Sequence, residues 1–174
     1  MTARAPRRKP GHSYMHTAIT DALACLHQQH LRPQVLLVAD LDRPQTANRL
    51  TVIDLHGPRP RVLLRATVAQ GAGGFGDAPH SHASAPGLYA IGNPYTGKHG
   101  LSWHLVGLSR SDRHAVARDV VLHSAPYVVP GWAGRSWGCP AVSAVTLHRL
   151  EALQALPPAG AAALWIQAPG ALCR

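Results

Sequence analysis

His123 and Cys139 are the two residues of this sequence whose types and spacing most directly suggest chemistry. Fifteen residues lie between them; Ser124-Ala125-Pro126 follows the histidine, and Gly138 precedes the cysteine. A cysteine thiolate is a nucleophile, and a neighbouring imidazole can take the thiol proton. Because Gly138 has no side chain, little bulk covers the thiol and the backbone can approach a substrate closely. The two residues are therefore a candidate nucleophile and general base.

Regular structure is predicted on both sides of the pair. A Val-Val-Leu run predicts a strand over 119–123 that ends at His123, and apolar residues at helical spacing predict a helix over 142–156. Cys139 then lies at a loop-to-helix junction, where backbone N–H groups can bind a developing oxyanion. From the spacing alone, a buried structural cysteine and an ordinary surface histidine explain the pair as well as catalysis does.

The remaining pattern predicts a mainly β domain with flanking helices, one N-terminal and one C-terminal. Apolar residues recur at helical spacing over 13–30, and Arg32-Pro33 ends that helix. A glycine-rich stretch without periodicity predicts a long loop over 70–86, a length that is often functional, and Asn93-Pro94-Tyr95-Thr96-Gly97 predicts a turn. The predicted strands cover 34–39, 49–55, 61–69, 87–92, 101–108, 119–123 and 162–168.

Composition indicates a folded and strongly basic chain. Of the 174 residues, 46% are apolar, which is enough for a single domain with a core over 13–174. The formal net charge is +9, and the basic cluster at 4–10 lies in a Pro-rich segment that predicts a flexible tail over 1–12. Such a charge suits a polyanionic neighbour such as nucleic acid, a membrane surface or an anionic cell wall, and it serves solubility equally well.

Cysteine usage and hydropathy leave the location of the protein open. Cys25 lies in the apolar helical pattern and is predicted to be a buried small hydrophobe, and a Cys25–Cys173 bridge is possible if the two ends of the chain meet. No run of about eighteen apolar residues predicts a transmembrane helix. No apolar signal-peptide segment follows the basic N-terminus, so a removed signal, another export route and a cytoplasmic location all stay open.

The twelve histidines raise the question of a metal site. His80 and His82 have an H-x-H spacing, but no Asp or Glu lies near enough in sequence to suggest the usual mixed ligand set. Neither an H-E-x-x-H nor a C-x-x-C motif is present. We therefore predict no metal and no cofactor.

Four segments of the chain resemble one enzyme family in the right order. His123-Ser124 followed by Ser136-Trp137-Gly138-Cys139 resembles the signature of the L,D-transpeptidases of the YkuD type, in which an HG or HS pair precedes an S-H-G-C box. The resemblance is closest to the murein L,D-transpeptidase catalytic domain branch, which carries G-R-S-W-G-C-P. The segments 47–55, 87–89 and 95–102 resemble that branch as well, and the helix before residue 31 matches its leading helix.

The resemblance covers most of the chain and implies both a fold and an activity. The fold is an L,D-transpeptidase-like β-sandwich or barrel, with an N-terminal helix and a second helix after the cysteine. The implied activity is on peptidoglycan stem peptides: the cysteine attacks the carbonyl of the third, diamino-acid residue, expels the terminal D-Ala and forms a thioacyl-enzyme. An amine of a second stem then gives a cross-link between third residues, whereas water gives L,D-carboxypeptidation.

Carried onto this chain, the resemblance also implies roles for particular residues. Cys139 is the nucleophile, His123 is the base, and Ser124 is the residue whose backbone carbonyl orients that histidine. Gly138 and Cys139 supply the oxyanion N–H groups. The substrate-binding residues are Arg135, Ser136, Trp137, Tyr95, Lys98 and His99.

Some of these roles have structural alternatives, and two positions depart from the family pattern. Arg135 has the right fork for a substrate carboxylate but could equally bond loop carbonyls; Lys98 could face solvent, and His99 could stabilise its turn. Trp137 stands where most relatives have a histidine, so the role of that histidine does not transfer, and we expect Trp137 to wall the acyl site instead. Gln70-Gly71 likewise stands where His-Gly is common in this branch.

The implied partners are peptidoglycan stem peptides, with carbapenem-type inhibitors as acylating probes and no nucleic acid. The implied location is the periplasm or cell envelope. Two other functions stay open from the sequence: a non-catalytic module that binds cell wall or another polyanion, and a secreted toxin of the same fold that trims stem peptides.

Overall fold

The computed structural model describes residues 13–158 and 161–174, and the predicted basic tail over 1–12 lies outside them. The described chain is mainly β with two helices, as the sequence predicts. The elements in chain order are α1 (Ser13–Gln28), β1 (Val35–Asp40), β2 (Leu50–Asp54), β3 (Arg61–Ala66), β4 (Gln70–Gly71), β5 (Gly87–Gly97), β6 (Gly100–Gly107), β7 (Val121–Ser124), β8 (Val128–Val129), β9 (Trp132–Ala133), β10 (Arg135–Ser136), β11 (Ala141–Val142), α2 (Ala144–Ala152) and β12 (Ala162–Gln167).

Eight of the strands form one barrel-like sheet in the order β11-β7-β6-β5-β12-β1-β2-β3. β1 pairs in parallel with β12, and β11 pairs in parallel with β7, whereas the other neighbours are antiparallel. The two small sheets outside it join β10 to β4 and β8 to β9. The parallel pair β7–β11 matters for function, because it brings His123 beside Ala141, two residues after Cys139.

The continuous apolar run of β1 is explained by burial on both of its faces. All six residues of β1 are buried. Because strand side chains alternate between faces, Leu37 packs into the large core on one side of the sheet, and Leu36 and Val38 pack beneath α1 on the other. α1 contributes Ala18, Ala22, Cys25 and Leu26 to that second core, a spacing that places them on one helix face.

A disulfide closes the second core. Cys25 of α1 is bonded to Cys173, with their Cα atoms 5.3 Å apart. α1 and the C-terminal segment therefore meet, and this bridge, which the sequence left possible, is formed.

Two predicted boundaries are wrong near the candidate site. The predicted turn over 93–97 is strand: β5 continues to Gly97, a bulge between Ile91 and Pro94 accommodates the proline, and the turn falls at Lys98-His99. The predicted helix over 142–156 is shorter, because Ala141 and Val142 pair with β7 as β11. α2 begins after Ser143, whose side chain accepts a hydrogen bond from the Thr146 N–H as the N-cap.

The predicted loop over 70–86 is more ordered than its sequence suggests. Gln70 and Gly71 pair with Arg135 and Ser136 as the β4–β10 ladder, which ties the start of this loop to the segment before Cys139. Gly71 is required by close packing, because a Cβ atom there would lie 2.4 Å from the His82 carbonyl oxygen. At Gly71 and Gly73, glycine is therefore required by close contact with the backbone of residues 81–84.

Candidate active site

A cavity of about 680 Å³ lies where β7, the β5–β6 turn, the 70–86 loop and the segment before β11 meet. It brings together most of the predicted site residues, which are far apart in sequence. Those that line it are Lys98, His99, His123, Arg135, Ser136, Trp137 and Cys139. Its wall also contains residues that sequence reasoning did not assign, notably His82, Arg118, Asp119 and Tyr127.

His123 is held firmly and in a defined tautomer. It lies on β7 opposite Ser102 of β6 and Ala141 of β11, and only 2% of it is exposed. Its Nδ1 lies 2.8 Å from the backbone carbonyl oxygen of Ser124. Because a carbonyl only accepts, Nδ1 carries the ring proton and Nε2 is the nitrogen with a lone pair. Nε2 is therefore the basic atom that His123 can offer in this cavity.

The surroundings of His123 favour its neutral form. Burial is the main cause that lowers the pKa of His123 below the usual histidine value, and the nearby His99 and Lys98 lower it further. The hydrogen bond with the Ser124 carbonyl opposes this shift but is the smaller effect. At neutral pH the ring is consequently an uncharged base.

The backbone turn that carries Cys139 is fixed by a serine hydroxyl. Ser136 Oγ donates to the Cys139 carbonyl oxygen at 2.7 Å and accepts the Gly138 N–H at 3.1 Å. Gly138 has a φ of +115°, and a Cβ atom there would lie 2.7 Å from the Ala83 carbonyl oxygen. Only glycine satisfies both the left-handed conformation and this close approach.

Cys139 is a free, half-buried thiol. Burial is the main cause that raises its pKa, and Asp119 adds to the rise; the Val121 N–H, Lys98 and Arg118 act in the opposite direction. Its Sγ points to the Asp119 carbonyl oxygen at 3.9 Å. Both pKa shifts therefore favour a neutral thiol and a neutral imidazole over a preformed thiolate–imidazolium pair.

Two pairs of stacked rings line the same cavity as the thiol. The rings of His99 and His123 are stacked with centroids 4.2 Å apart and an interplanar angle of 22°. The rings of His82 and Trp137 are stacked with centroids 4.5 Å apart and an interplanar angle of 6°. Trp137 is nonetheless 77% exposed, so its indole lies at the rim of the cavity.

Arg118 organises the loop that supplies His82, and sequence reasoning missed it. Its guanidinium donates to the Gly76 carbonyl oxygen at 3.2 Å, to Asp77 Oδ1 at 3.2 Å and to the Ala83 carbonyl oxygen. Asp77 in turn accepts the His114 N–H at 2.9 Å. A lone Asp within the glycine-rich stretch was the available sequence signal, but no local pattern pairs it with an arginine forty-one residues later.

Three predicted site residues lie outside the lining. Ser124 contributes its carbonyl from behind His123. The Gly138 N–H already donates to Ser136 Oγ, so it is not a ready oxyanion donor. Tyr95 stacks on His104 with ring centroids 4.1 Å apart, which directs its ring to the hairpin rather than to the cavity.

Among the predicted substrate-binding residues, the two cations differ in their surroundings. Lys98 Nζ lies 3.8 Å from Asp119 Oδ2 in an exposed ion pair. The Arg135 side chain is exposed at the cavity wall, and its backbone pairs with Gln70.

Within residues 13–158 and 161–174, no group of three or more His, Cys, Asp or Glu side chains is arranged to hold a metal ion. In the same residues no helix has the length and apolar character to span a membrane.

Solved structures share this fold at low sequence identity. The helical cell shape determining protein Pgp2 from Campylobacter jejuni superposes with a TM-score of 0.56 at 12% identity, over 77% of this chain and 47% of that one. Bd1075 from Bdellovibrio bacteriovorus superposes with a TM-score of 0.51 at 15% identity, over 76% of this chain and 47% of that one. The chain thus spans about half the length of these two structures. A search of curated proteins found no match.

A family assignment comes from the sequence itself. The profile of the family described as the L,D-transpeptidase catalytic domain matches residues 9–154. This range includes β1 to β11, α2 and the pair His123 and Cys139. The match covers most of the chain, and the fold agrees with it. The chain therefore belongs to the L,D-transpeptidase catalytic domain family.

Proposed function

We propose that this cavity catalyses thiol-dependent acyl transfer on peptidoglycan stem peptides, with Cys139 as the nucleophile and His123 as the general base. The observation that carries the proposal is the protonation pattern of the pair. The Ser124 carbonyl keeps the proton of His123 on Nδ1, which leaves Nε2 as a base in the cavity that also contains the free thiol.

The neutral state of both groups favours transfer of the thiol proton during attack rather than before it. As Sγ forms a bond to the substrate carbonyl carbon, Nε2 takes the thiol proton and His123 becomes an imidazolium. The imidazolium then protonates the leaving amine as the C–N bond breaks, and the acyl group stays on sulfur as a thioester. An acceptor amine or water releases the acyl group and returns the proton through His123.

The negative charge that develops on the carbonyl oxygen needs a donor close to the sulfur. The Gly138 N–H is engaged by Ser136 Oγ, so we assign the Cys139 N–H to this role. Ser136 then has a positioning role, since its hydroxyl fixes the turn on both sides of the nucleophile.

The polar wall suits a substrate with free carboxylates. Lys98 and Arg135 are exposed cations on this wall, and Asp119 is an exposed carboxylate that pairs with Lys98. Stem peptides carry carboxylates beside the reactive carbonyl, and the Arg135 guanidinium can bind one in a bidentate manner. We place the site of action in the cell envelope, where such peptides occur.

Turnover of a defined disaccharide-tetrapeptide, followed by mass spectrometry, tests this proposal. Wild-type protein should release D-Ala and give dimers, tripeptides or both, and that product ratio separates transpeptidation from carboxypeptidation. Cys139→Ala should abolish release, because no other free cysteine is present in the described chain. His148→Ala is the matched control, because His148 is exposed on α2 and pairs only with Glu151 among its charged neighbours in residues 13–158 and 161–174.

The outcome also separates catalysis from the alternative of a binding module. Undiminished release by Cys139→Ala would contradict the proposal. No release by either protein, together with retained sedimentation on cell-wall sacculi, would identify a binding module instead.

A further inference from the structure

We propose that His99 is a positioning residue that holds the ring of His123 in its reactive orientation, rather than a residue that contacts substrate. The inference rests on the proposed roles of Cys139 and His123. It assigns a function to the imidazole–imidazole stack that the acyl-transfer steps do not themselves require.

The backbone places His99 on His123 without help from a substrate. Gly97 pairs with Gly100, so Lys98 and His99 form a two-residue hairpin turn at the end of β5 and β6. β6 continues into the pair between Ser102 and His123 of β7. The turn therefore projects beside the strand that carries the base, and the position of His99 is set by a continuous ladder.

The stack supplies a constraint that the hydrogen bond of His123 cannot. The 2.8 Å contact between Nδ1 and the Ser124 carbonyl fixes one ring atom in the ring plane. A single hydrogen bond still allows the ring to tilt about the Cβ–Cγ bond, because a hydrogen bond tolerates a broad range of angles. His99 covers one face of the ring with centroids 4.2 Å apart, which opposes that tilt. Together the two contacts fix the direction of Nε2.

Three roles for His99 predict different kinetics. A positioning role predicts that His99→Ala lowers kcat about tenfold or more with KM for the tetrapeptide within about twofold, since misplacement of a catalytic group acts on the chemical step. It also predicts that kcat of His99→Phe lies within about threefold of the wild-type value, because the phenyl ring keeps the stacked face. A substrate contact predicts a higher KM, and a hydrogen-bonding role in the turn predicts equal damage from Ala and Phe.

Histidine-selective NMR gives a readout that needs no substrate. The Nδ1–H proton of His123 should be observable in wild-type protein and in His99→Phe. In His99→Ala it should be broadened by exchange with water, because the ring loses its stacked neighbour and keeps only its hydrogen bond to the Ser124 carbonyl. His148→Ala is again the control and should leave this signal unchanged.

Each possible result supports or overturns the positioning role of His99. A fall in kcat that Phe restores, with the NMR change, establishes the positioning role. A raised KM with unchanged kcat, equal losses in both variants, or an unaltered His123 signal in His99→Ala overturns it. If wild-type protein turns over no stem peptide, the proposed function fails while the NMR comparison still decides the positioning of His123.

Discussion

At the scale of single residues, the site is defined by backbone contacts as much as by its two reactive side chains. The Ser124 carbonyl sets the tautomer of His123, and Ser136 Oγ fixes the turn of Cys139. The sequence could predict the nucleophile and base as candidates, because a Gly-Cys turn and a strand-terminal histidine are local patterns. It could not predict that Ser136 engages the Gly138 N–H, because that bond depends on the folded turn.

Gly138 offers a prediction at this scale. Gly138→Ala should lower the free energy of unfolding by about 2 kcal/mol or more and reduce turnover, because it combines a left-handed conformation with a Cβ contact of 2.7 Å to the Ala83 carbonyl oxygen. Gly74→Ala is the matched control: Gly74 also has a positive φ, of +80°, but a Cβ there meets nothing within 4 Å. Denaturant unfolding and D-Ala release measure both effects, and equal behaviour of the two variants would refute this account of Gly138.

At the scale of elements, the active cavity is built by pieces that pair across long sequence distances. The apolar runs that became β1 and β12 were predictable, because burial on both faces demands them. The extension of β5 through Pro94 to Gly97 was not, because Asn-Pro-Tyr-Thr-Gly is a strong local turn signal. Pairing with β6 overrides it: a bulge between Ile91 and Pro94 shifts the register, and Pro94 then pairs with Trp103.

The loop over 72–84 depends on Arg118, which gives a prediction for this element. The Arg118 side chain is only 6% exposed, and its removal would leave the carbonyls of Gly76 and Ala83 and the carboxylate of Asp77 without this donor. Arg118→Ala should therefore lower the free energy of unfolding by about 2–3 kcal/mol and speed hydrogen exchange in the loop. Arg113→Ala, an exposed arginine of the same segment, should change neither measurement. Unchanged exchange in Arg118→Ala would show that the loop is held by other contacts.

At the scale of the whole molecule, segments distant in sequence are joined by a small number of buried polar contacts and one disulfide. The Cys25–Cys173 bridge joins α1 to the C-terminal segment. Asp112 is fully buried against Gly87 and accepts the Ser109 N–H at 2.8 Å through Oδ1. Its Oδ2 has no hydrogen-bond partner in the part of the chain that the structure describes. The sequence allowed the disulfide as one possibility, but it could not predict that Asp112 lies against Gly87, because the separation of these two segments in space is not visible in the sequence.

Asp112 predicts how stability depends on pH. Burial chiefly raises the pKa of Asp112 to about 7 in the folded protein, above the ordinary value of 3.8 that the unfolded chain should have. Between these values the folded state binds more protons, so this group's contribution to the free energy of unfolding falls as pH rises from about 4 to 7. Asp112→Asn keeps the acceptor for Ser109 but cannot ionise, so its stability relative to wild type should rise between pH 5 and pH 8 by on the order of 2–4 kcal/mol.

Thermal unfolding at pH 5 and pH 8 checks this prediction. The difference in Tm between Asp112→Asn and wild type should grow from pH 5 to pH 8. Asp21→Asn, a change at an exposed position of α1, serves as the control and should show no such growth. A constant difference between the two pH values would mean that Asp112 does not change its ionisation on folding.

The most direct test of the central claim is to observe the acyl group on Cys139. Wild-type protein is incubated with a tetrapeptide stem, quenched in acid and measured by intact mass and peptide mapping. The proposal predicts a mass increase equal to the tetrapeptide minus D-Ala, located on the peptide that contains Cys139, and absent from Cys139→Ala. An adduct on another residue, or D-Ala release by wild-type protein that persists in Cys139→Ala without any adduct, would contradict the proposed thioester mechanism.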